Sequence, residues 1–171
     1  MKIYTKRGDL GETDLISKRV LKSDIAIQIV GEIDEASARL ADCKQYITSI
    51  EIKETLSKVD HYLFLISSIV VDNEDRLKLR ITDEAIKELE EAIDVMDLKL
   101  KPLKKFITYD GSNAAIKVSL LRSQVRKVER YLVDFETQEH VIQYMNRLSD
   151  YLFTLMRFIN LIEGIKETTR S

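Results

Sequence analysis

With 171 residues, 44% of them hydrophobic and 33% charged, the chain has apolar material for one core inside a heavily charged exterior, and a second independent domain is not expected. Its 27 Lys and Arg nearly cancel its 29 Asp and Glu, and the net charge of −2 lacks the basic excess of nucleic-acid and acidic-membrane binders. A single cysteine, Cys43, beside only two histidines, His61 and His140, excludes an internal disulfide and disfavours a zinc site, which suits a reducing cytoplasm.

Five Gly and one Pro are too few for the tight turns of a sandwich, a barrel or a doubly wound sheet, so the expected class is all-α. No stretch approaches the ~18 to 20 apolar residues of a membrane span, and the opening MKIYTKRGD lacks the apolar centre of a secretory signal. The next segment, TKRGDLGET, sets Gly8 and Gly11 within residues 5–13. Such glycines let successive N–H groups converge on an anion such as a phosphate, with Lys6 as countercharge. The Walker pattern GxxxxGK[ST] is absent, and an ordinary N-terminal arm is the bland alternative.

Helical runs then follow in order. Ala26, Val30, Ile33, Leu40 and Ile47 recur at helical spacing behind the cap candidate Ser23, predicting a helix over about 24–47. A second run reads Ile52, Leu56, Val59, Leu63, Ile66 and Val70. A third reads Ile86, Leu89, Ile93, Met96 and Leu100, entered through Thr82 or Asp83. Behind Ser112 comes Val118, Leu121, Val125, Val128, Leu132 and Phe135, and behind Thr137 comes Val141 through Ile162. The connections 72–80 and 101–111 are short and polar, so neighbouring helices are expected to be antiparallel in an up-and-down bundle.

On the fourth helix Arg122, Arg126 and Glu129 fall within about 60° of one another, a stripe that flanks the apolar seam where a cleft would be lined. Ordinary pairing of Arg126 and Arg130 with nearby carboxylates is the bland reading. The fifth helix carries NRLSDYLF, with Asn146 and Asp150 an i, i+4 pair beside its seam. On the first helix Asp34, in GEIDEAS, borders the seam as a partly buried carboxylate in want of an arginine.

The segments TKRGDLGET (5–13), GEIDE (31–35), FITYDGS (106–112), LRSQVRKVER (121–130) and YMNRLSDYLF (144–153) together resemble the ATP:cob(I)alamin adenosyltransferases of the propanediol-utilisation type. The resemblance spans almost the whole chain. It implies a single 1–171 domain, with 1–22 an ATP-binding segment and 23–165 a five-helix bundle. The bundle is implied to be a homotrimer whose substrates, ATP and cob(I)alamin, meet between subunits. It nominates Thr5, Lys6, Gly8, Asp9, Gly11 and Thr13 as ATP contacts and Arg122, Arg126 and Glu129 as nucleotide-binding and catalytic positions. Asn146 is a further ATP contact, Asp34 and Arg122 an intersubunit ion pair, and Phe106 the aromatic at the lower face of the corrin ring.

The implied reaction is attack of Co(I) on C5′ of ATP with triphosphate leaving. Lys6, Arg126, Mg²⁺ and backbone donors would stabilise the departing charge, with no metal held by direct protein ligation. An apolar wall at Phe106 would keep a lower axial ligand off cobalt, which makes Co(II) easier to reduce. A reductase or an adenosylcobalamin-dependent enzyme is a further candidate partner.

The chain departs from the family pattern at Tyr109, Asp110 and Gly111, at Val118 and Ser119, at Ala36 and Ser37, and at Lys127. These changes keep open an alternative, an ATP-binding regulatory or assembly trimer without corrinoid chemistry.

Overall fold

The computed structural model describes residues 2–72 and 74–170; Met1, Asn73 and Ser171, which belong to the expected 1–171 domain and the 72–80 connection, lie outside the described residues. A hairpin of β1 (Glu12–Asp14) and β2 (Arg19–Leu21) precedes α1 (Ile25–Lys44), α2 (Ile50–Val71), α3 (Asp83–Asp97), α4 (Asn113–Asp134) and α5 (Glu139–Ile162). The fold is therefore mostly helical, with one small sheet that the expected all-α class did not include. The hairpin is held by burial as well as by pairing. Leu15 at its tip enters the core, and the Ile16 N–H donates to the Val71 carbonyl at 3.4 Å.

Four helices start on side-chain caps. The Ser49, Thr82 and Ser112 hydroxyls accept from the N–H groups of Ile52, Ala85 and Ala115. At α1 the cap is Asp24, which accepts from the Ala26 N–H at 2.9 Å, and not Ser23 one residue earlier. At α5 it is Gln138, not Thr137, and its side chain makes no cap bond; Nε2 donates to the Leu79 carbonyl at 3.1 Å, and Oε1 is buried with no hydrogen-bond partner among the described residues. Two helices end sooner than their apolar period suggests. Ile47 remains buried after α1 has closed at Gln45, so a loop residue continued the rhythm, and Leu100 lies beyond α3.

Helix directions follow from side-chain ladders. Gln28 meets Tyr131 at 3.1 Å, Glu32 meets Gln124 at 2.7 Å and Asp42 meets Lys117 at 2.6 Å, so α1 and α4 are antiparallel. Arg122 reaches the Ser149 carbonyl and Asn160 reaches the Ser112 N–H, so α4 and α5 are antiparallel too. The third helix packs mainly on α5 rather than on a chain neighbour, in the direction that alternate helices of an up-and-down bundle share. Asp83 meets His140 at 3.1 Å and Glu90 meets Arg147 at 3.0 Å, so α3 runs parallel to α5. The reason is that α5 buries residues around most of its circumference, Tyr144, Met145, Leu148, Tyr151 and Leu152 among them, and offers the central surface on which the stripe of Ala85, Leu89 and Met96 settles.

The α1–α4 seam also contains the ion pair that burial makes consequential. Lys127 Nζ lies 2.6 Å from Glu32, whose side chain is 15% exposed, and Gln124 Nε2 donates to the same carboxylate. The Lys127 and Gln124 hydrogen bonds hold the Glu32 carboxyl below its ordinary value. A depressed folded pKa supplies stability that is present above the unfolded value, about 4.3, and is lost as pH falls through the lowered folded value. Glu32→Gln therefore flattens the acid limb of the stability curve below about pH 4.3, measured by urea melts across pH, and changes the neutral plateau less than Glu32→Ala does.

Candidate functional site

Residues 5–13 form a compact loop whose turns are set by backbone bonds, Asp9 N–H to the Lys6 carbonyl at 3.3 Å and Gly11 N–H to the Gly8 carbonyl at 3.2 Å. Gly11 has φ +81°, a left-handed geometry suited to glycine, while Lys6 adopts φ +60° with its side chain exposed. Thr5, through its hydroxyl, accepts from the Arg7 N–H, Asp9 is exposed, and Thr13 sits in β1 opposite Val20. Arg7 and Arg19 both bind Asp14, and Arg19 also binds Glu12 and the Arg7 carbonyl, so the loop rests on a charged frame. Lys22, which the sequence reading passed over, donates its backbone N–H to the Gly11 carbonyl at 2.8 Å and brings its ammonium beside Gly8. Among the described residues no hydrogen bond or ion pair links this loop to the α4 stripe within one protomer.

Along α4, Arg126 is exposed, Arg122 and Glu129 are half-buried, and the three share one flank. Arg126, Lys127, Glu129, Arg130 and Tyr131 line a surface hollow of about 420 Å³. The bland alternative of structural ion pairs is not met at two of these cations. Among the described residues, neither Arg126 nor Arg130 pairs with a carboxylate, and Arg130 Nη1 donates only to the Arg126 carbonyl at 3.1 Å. Lys127, by contrast, is committed to Glu32.

Arg122 points the other way along the flank. Its Nε donates to the Ser149 carbonyl at 3.2 Å, and its guanidinium lies 5.1 Å from the Phe153 ring centroid and 5.8 Å from that of Tyr109. Asp34 is exposed on α1 and forms no ion pair within the protomer among the described residues, so it is not the partly buried carboxylate expected there. Glu32 is. Two residues apart on a helix means about 200° of rotation, which turns Glu32 toward α4 and Asp34 away from it. The expected Asn146–Asp150 pair is also absent. Asn146 is exposed, and Asp150 is taken by Arg147 at 2.7 Å.

Phe106 is 87% exposed and stands over a cavity of about 540 Å³ lined with Lys105, Ile107, Tyr109 and Arg170. A second hollow of about 500 Å³ adds Leu103, Lys104 and Phe153 on the same side. The chain's end shapes this region, since Thr108 N–H donates to the Thr168 carbonyl at 2.9 Å and Arg170 N–H to the Phe106 carbonyl at 2.8 Å. No periodicity could have signalled that pairing. Val118 and Ser119, which depart from the family pattern, are buried in α4, with the Ser119 hydroxyl bonded to the Ala115 carbonyl. Among the described residues, no three His, Cys, Asp or Glu side chains stand close enough to hold a metal ion, and no helix is long and apolar enough to cross a membrane.

A family model described as cobalamin adenosyltransferase matches residues 3–159. A corrinoid adenosyltransferase of Bacillus subtilis (strain 168) is 33% identical over 173 residues, covering 96% of this chain and 90% of the relative. One from Citrobacter freundii is 31% identical over 176 residues, covering 98% and 96%. Among solved structures, a variant PduO-type ATP:corrinoid adenosyltransferase from Lactobacillus reuteri complexed with cobalamin and ATP superposes with a TM-score of 0.93 at 27% identity, over 99% of each chain. A second variant of that protein, complexed with ATP, gives 0.92 at 28% identity over 99% of this chain and 100% of the other.

Proposed function

The chain belongs to the cobalamin adenosyltransferase family, and from that premise we propose how its residues divide the work of a corrinoid adenosyltransferase. The enzyme transfers the 5′-deoxyadenosyl group of ATP to the Co(I) corrinoid. The cobalt–carbon bond forms at C5′ with the cobalt electron pair, and the C5′–oxygen bond breaks toward the triphosphate. No protein nucleophile is needed, so catalysis reduces to alignment and to stabilising charge on the leaving group.

The observation that carries the assignment is the pair of uncommitted guanidiniums, Arg126 and Arg130, above a hollow on α4. Cations without carboxylate partners are suited to a polyphosphate. Arg126 takes the triphosphate, with Glu129 and Asn146 orienting the nucleoside and Arg122 joining the phosphate side to the aromatic side. Residues 1–22 supply the other half of the ATP site. Their loop brings Lys6 and backbone donors to the phosphates, with Gly8, Gly11 and Asp9 shaping the turn and Thr5 and Thr13 as hydroxyl contacts; the bundle over 23–165 is the scaffold. ATP enters as its Mg²⁺ complex, for which the phosphate oxygens are the fitting hard donors.

The separation of the two halves within a protomer supports a homotrimer in which the N-terminal loop of one subunit faces α4 of the next. Asp34, exposed and unpaired among the described residues of one protomer, is then free to meet Arg122 across that interface. The corrinoid lies against Phe106, whose exposed ring excludes a lower axial ligand. Since Co(I) persists only under reducing conditions, the setting is the cytoplasm, where a reductase supplies the reduced corrinoid and an adenosylcobalamin-dependent enzyme accepts the product.

The test combines protein, ATP, Mg²⁺ and chemically reduced cobalamin without oxygen, using material whose sedimentation mass is three times 19.8 kDa. The adenosylcobalamin spectrum and stoichiometric triphosphate are expected. Their absence from folded trimer would remove the assignment.

A further inference from the structure

The segment that carries Phe106 has little hydrophobic reason to hold its shape. Between residues 101 and 110 only Ile107 is buried. The segment is held by polar links, and most come from the end of α5 and the tail that follows it. At the start, buried Arg157 donates Nη2 to the Lys101 carbonyl at 2.7 Å, while its Nε binds Glu167 at 2.6 Å. At the far end, Asn160 donates Nδ2 to the Asp110 carbonyl at 3.1 Å and accepts the Ser112 N–H on Oδ1 at 3.1 Å. In the middle, the tail strand bonds both neighbours of Ile107.

Two of these anchors are more than incidental contacts. The Arg157 side chain is 7% exposed and its charge is matched by Glu167, itself 27% exposed, so the tail cannot leave without stranding a guanidinium in the interior. Asn160 is 4% exposed and spends both ends of its amide on one loop. Gly111 lies against that amide so closely that a Cβ there would stand 2.1 Å from Oδ1.

We infer that Asn160 and the Arg157–Glu167 pair are positioning residues for corrinoid, clamping the 101–111 segment so that Phe106 and Tyr109 present a fixed wall, with Glu167 as the latch that ties the tail to that clamp. The inference rests on the functional reading above for the identity of the ligand. The clamp touches none of Arg126, Lys127, Glu129 or Arg130, and its link toward the nucleotide side is the Tyr109 ring beside Arg122, so loosening it falls chiefly on corrinoid. A rigid wall costs less ordering when corrinoid arrives than a mobile one does.

The test is steady-state kinetics of Glu167→Ala, Glu167→Gln and Asn160→Ala with both substrates varied, together with tryptic digestion of the free proteins at Lys104 and Lys105. Glu167→Ala is expected to raise the corrinoid KM about five-fold or more and leave the ATP KM within about two-fold. Glu167→Gln recovers much of the loss, because its amide oxygen still accepts from Arg157. Cleavage after Lys104 and Lys105 accelerates in both alanine variants. An unchanged corrinoid KM in Glu167→Ala, or an equal rise in both KM values, overturns the inference. Should Asn160→Ala fail to fold, Glu167→Ala decides alone. A wild-type protein without turnover would sink the functional reading instead, and unchanged tryptic cleavage in Glu167→Ala would then still overturn the clamp.

Discussion

Arg126→Ala is expected to lower kcat by about 10²- to 10³-fold, the usual cost of removing one preorganised donor from developing negative charge. The same substitution leaves the melting temperature nearly unchanged. Arg126 is exposed and its guanidinium has no carboxylate partner among the described residues, so truncation strands nothing and opens no cavity. The combination is diagnostic, because a structural arginine shows the opposite pattern. Lys127 is the internal control one residue away. Its ammonium is bound to Glu32, so Lys127→Ala should cost stability through that unpaired carboxylate and affect turnover less. Arg126→Lys discriminates further, since a point charge preserves attraction to a phosphate but not the two-pronged geometry of a guanidinium. Single-turnover kinetics with ATP and reduced cobalamin reads the rates, and circular dichroism reads the melts. Wild-type turnover in Arg126→Ala would remove the residue from the site.

The features that could be read from the sequence are those encoded locally. Each helix announced itself through three- and four-residue spacing of apolar side chains, which are buried at Leu56, Leu63 and Ile66 in α2 and at Leu121, Val125 and Val128 in α4, whereas in α3 only Leu89 and Met96 of the expected run are fully buried. Cap positions were less legible where two polar residues stand side by side, as at Ser23 and Asp24, because either can accept the same N–H. Three features had no local signal. The β1–β2 hairpin is three residues a side and owes its stability to Leu15 entering the core. The parallel packing of α3 on α5 depends on which helix offers an apolar surface all round, a property of the assembled bundle. Pairing of the tail with residues 106–108 joins segments about 60 positions apart, one of them with no apolar period. The candidate site divides in the same way. The Arg122–Arg126–Glu129 stripe was visible as helical spacing, while the capture of Arg122 by Tyr109 and Phe153 needed the fold.

Gly111→Ala is expected to be among the most destabilising substitutions of a small residue in the protein. Gly111 has φ +124°, outside the region an L-residue adopts at ease, and backbone strain of that kind costs about 1–3 kcal/mol. The new methyl would also stand 2.1 Å from Asn160 Oδ1 and 2.4 Å from Nδ2. The amide must swing away, giving up its bonds to Asp110 and Ser112, each worth about 1 kcal/mol in net terms. The sum is about 3–5 kcal/mol, or a fall of about 6–20 °C in Tm for a chain of this size. Gly164 separates the two causes. It also has positive φ, +71°, but nothing lies within 4 Å of an added Cβ, so Gly164→Ala reports strain without collision. The double variant Gly111→Ala/Asn160→Ala removes the collision and both hydrogen bonds at once. It should lose less stability than the two single losses added together, because the second substitution deletes the atoms that the first one strikes. Strict additivity in thermal melts would mean that Gly111 and Asn160 do not act on each other, and the close packing of loop and helix would then have to be held by something else.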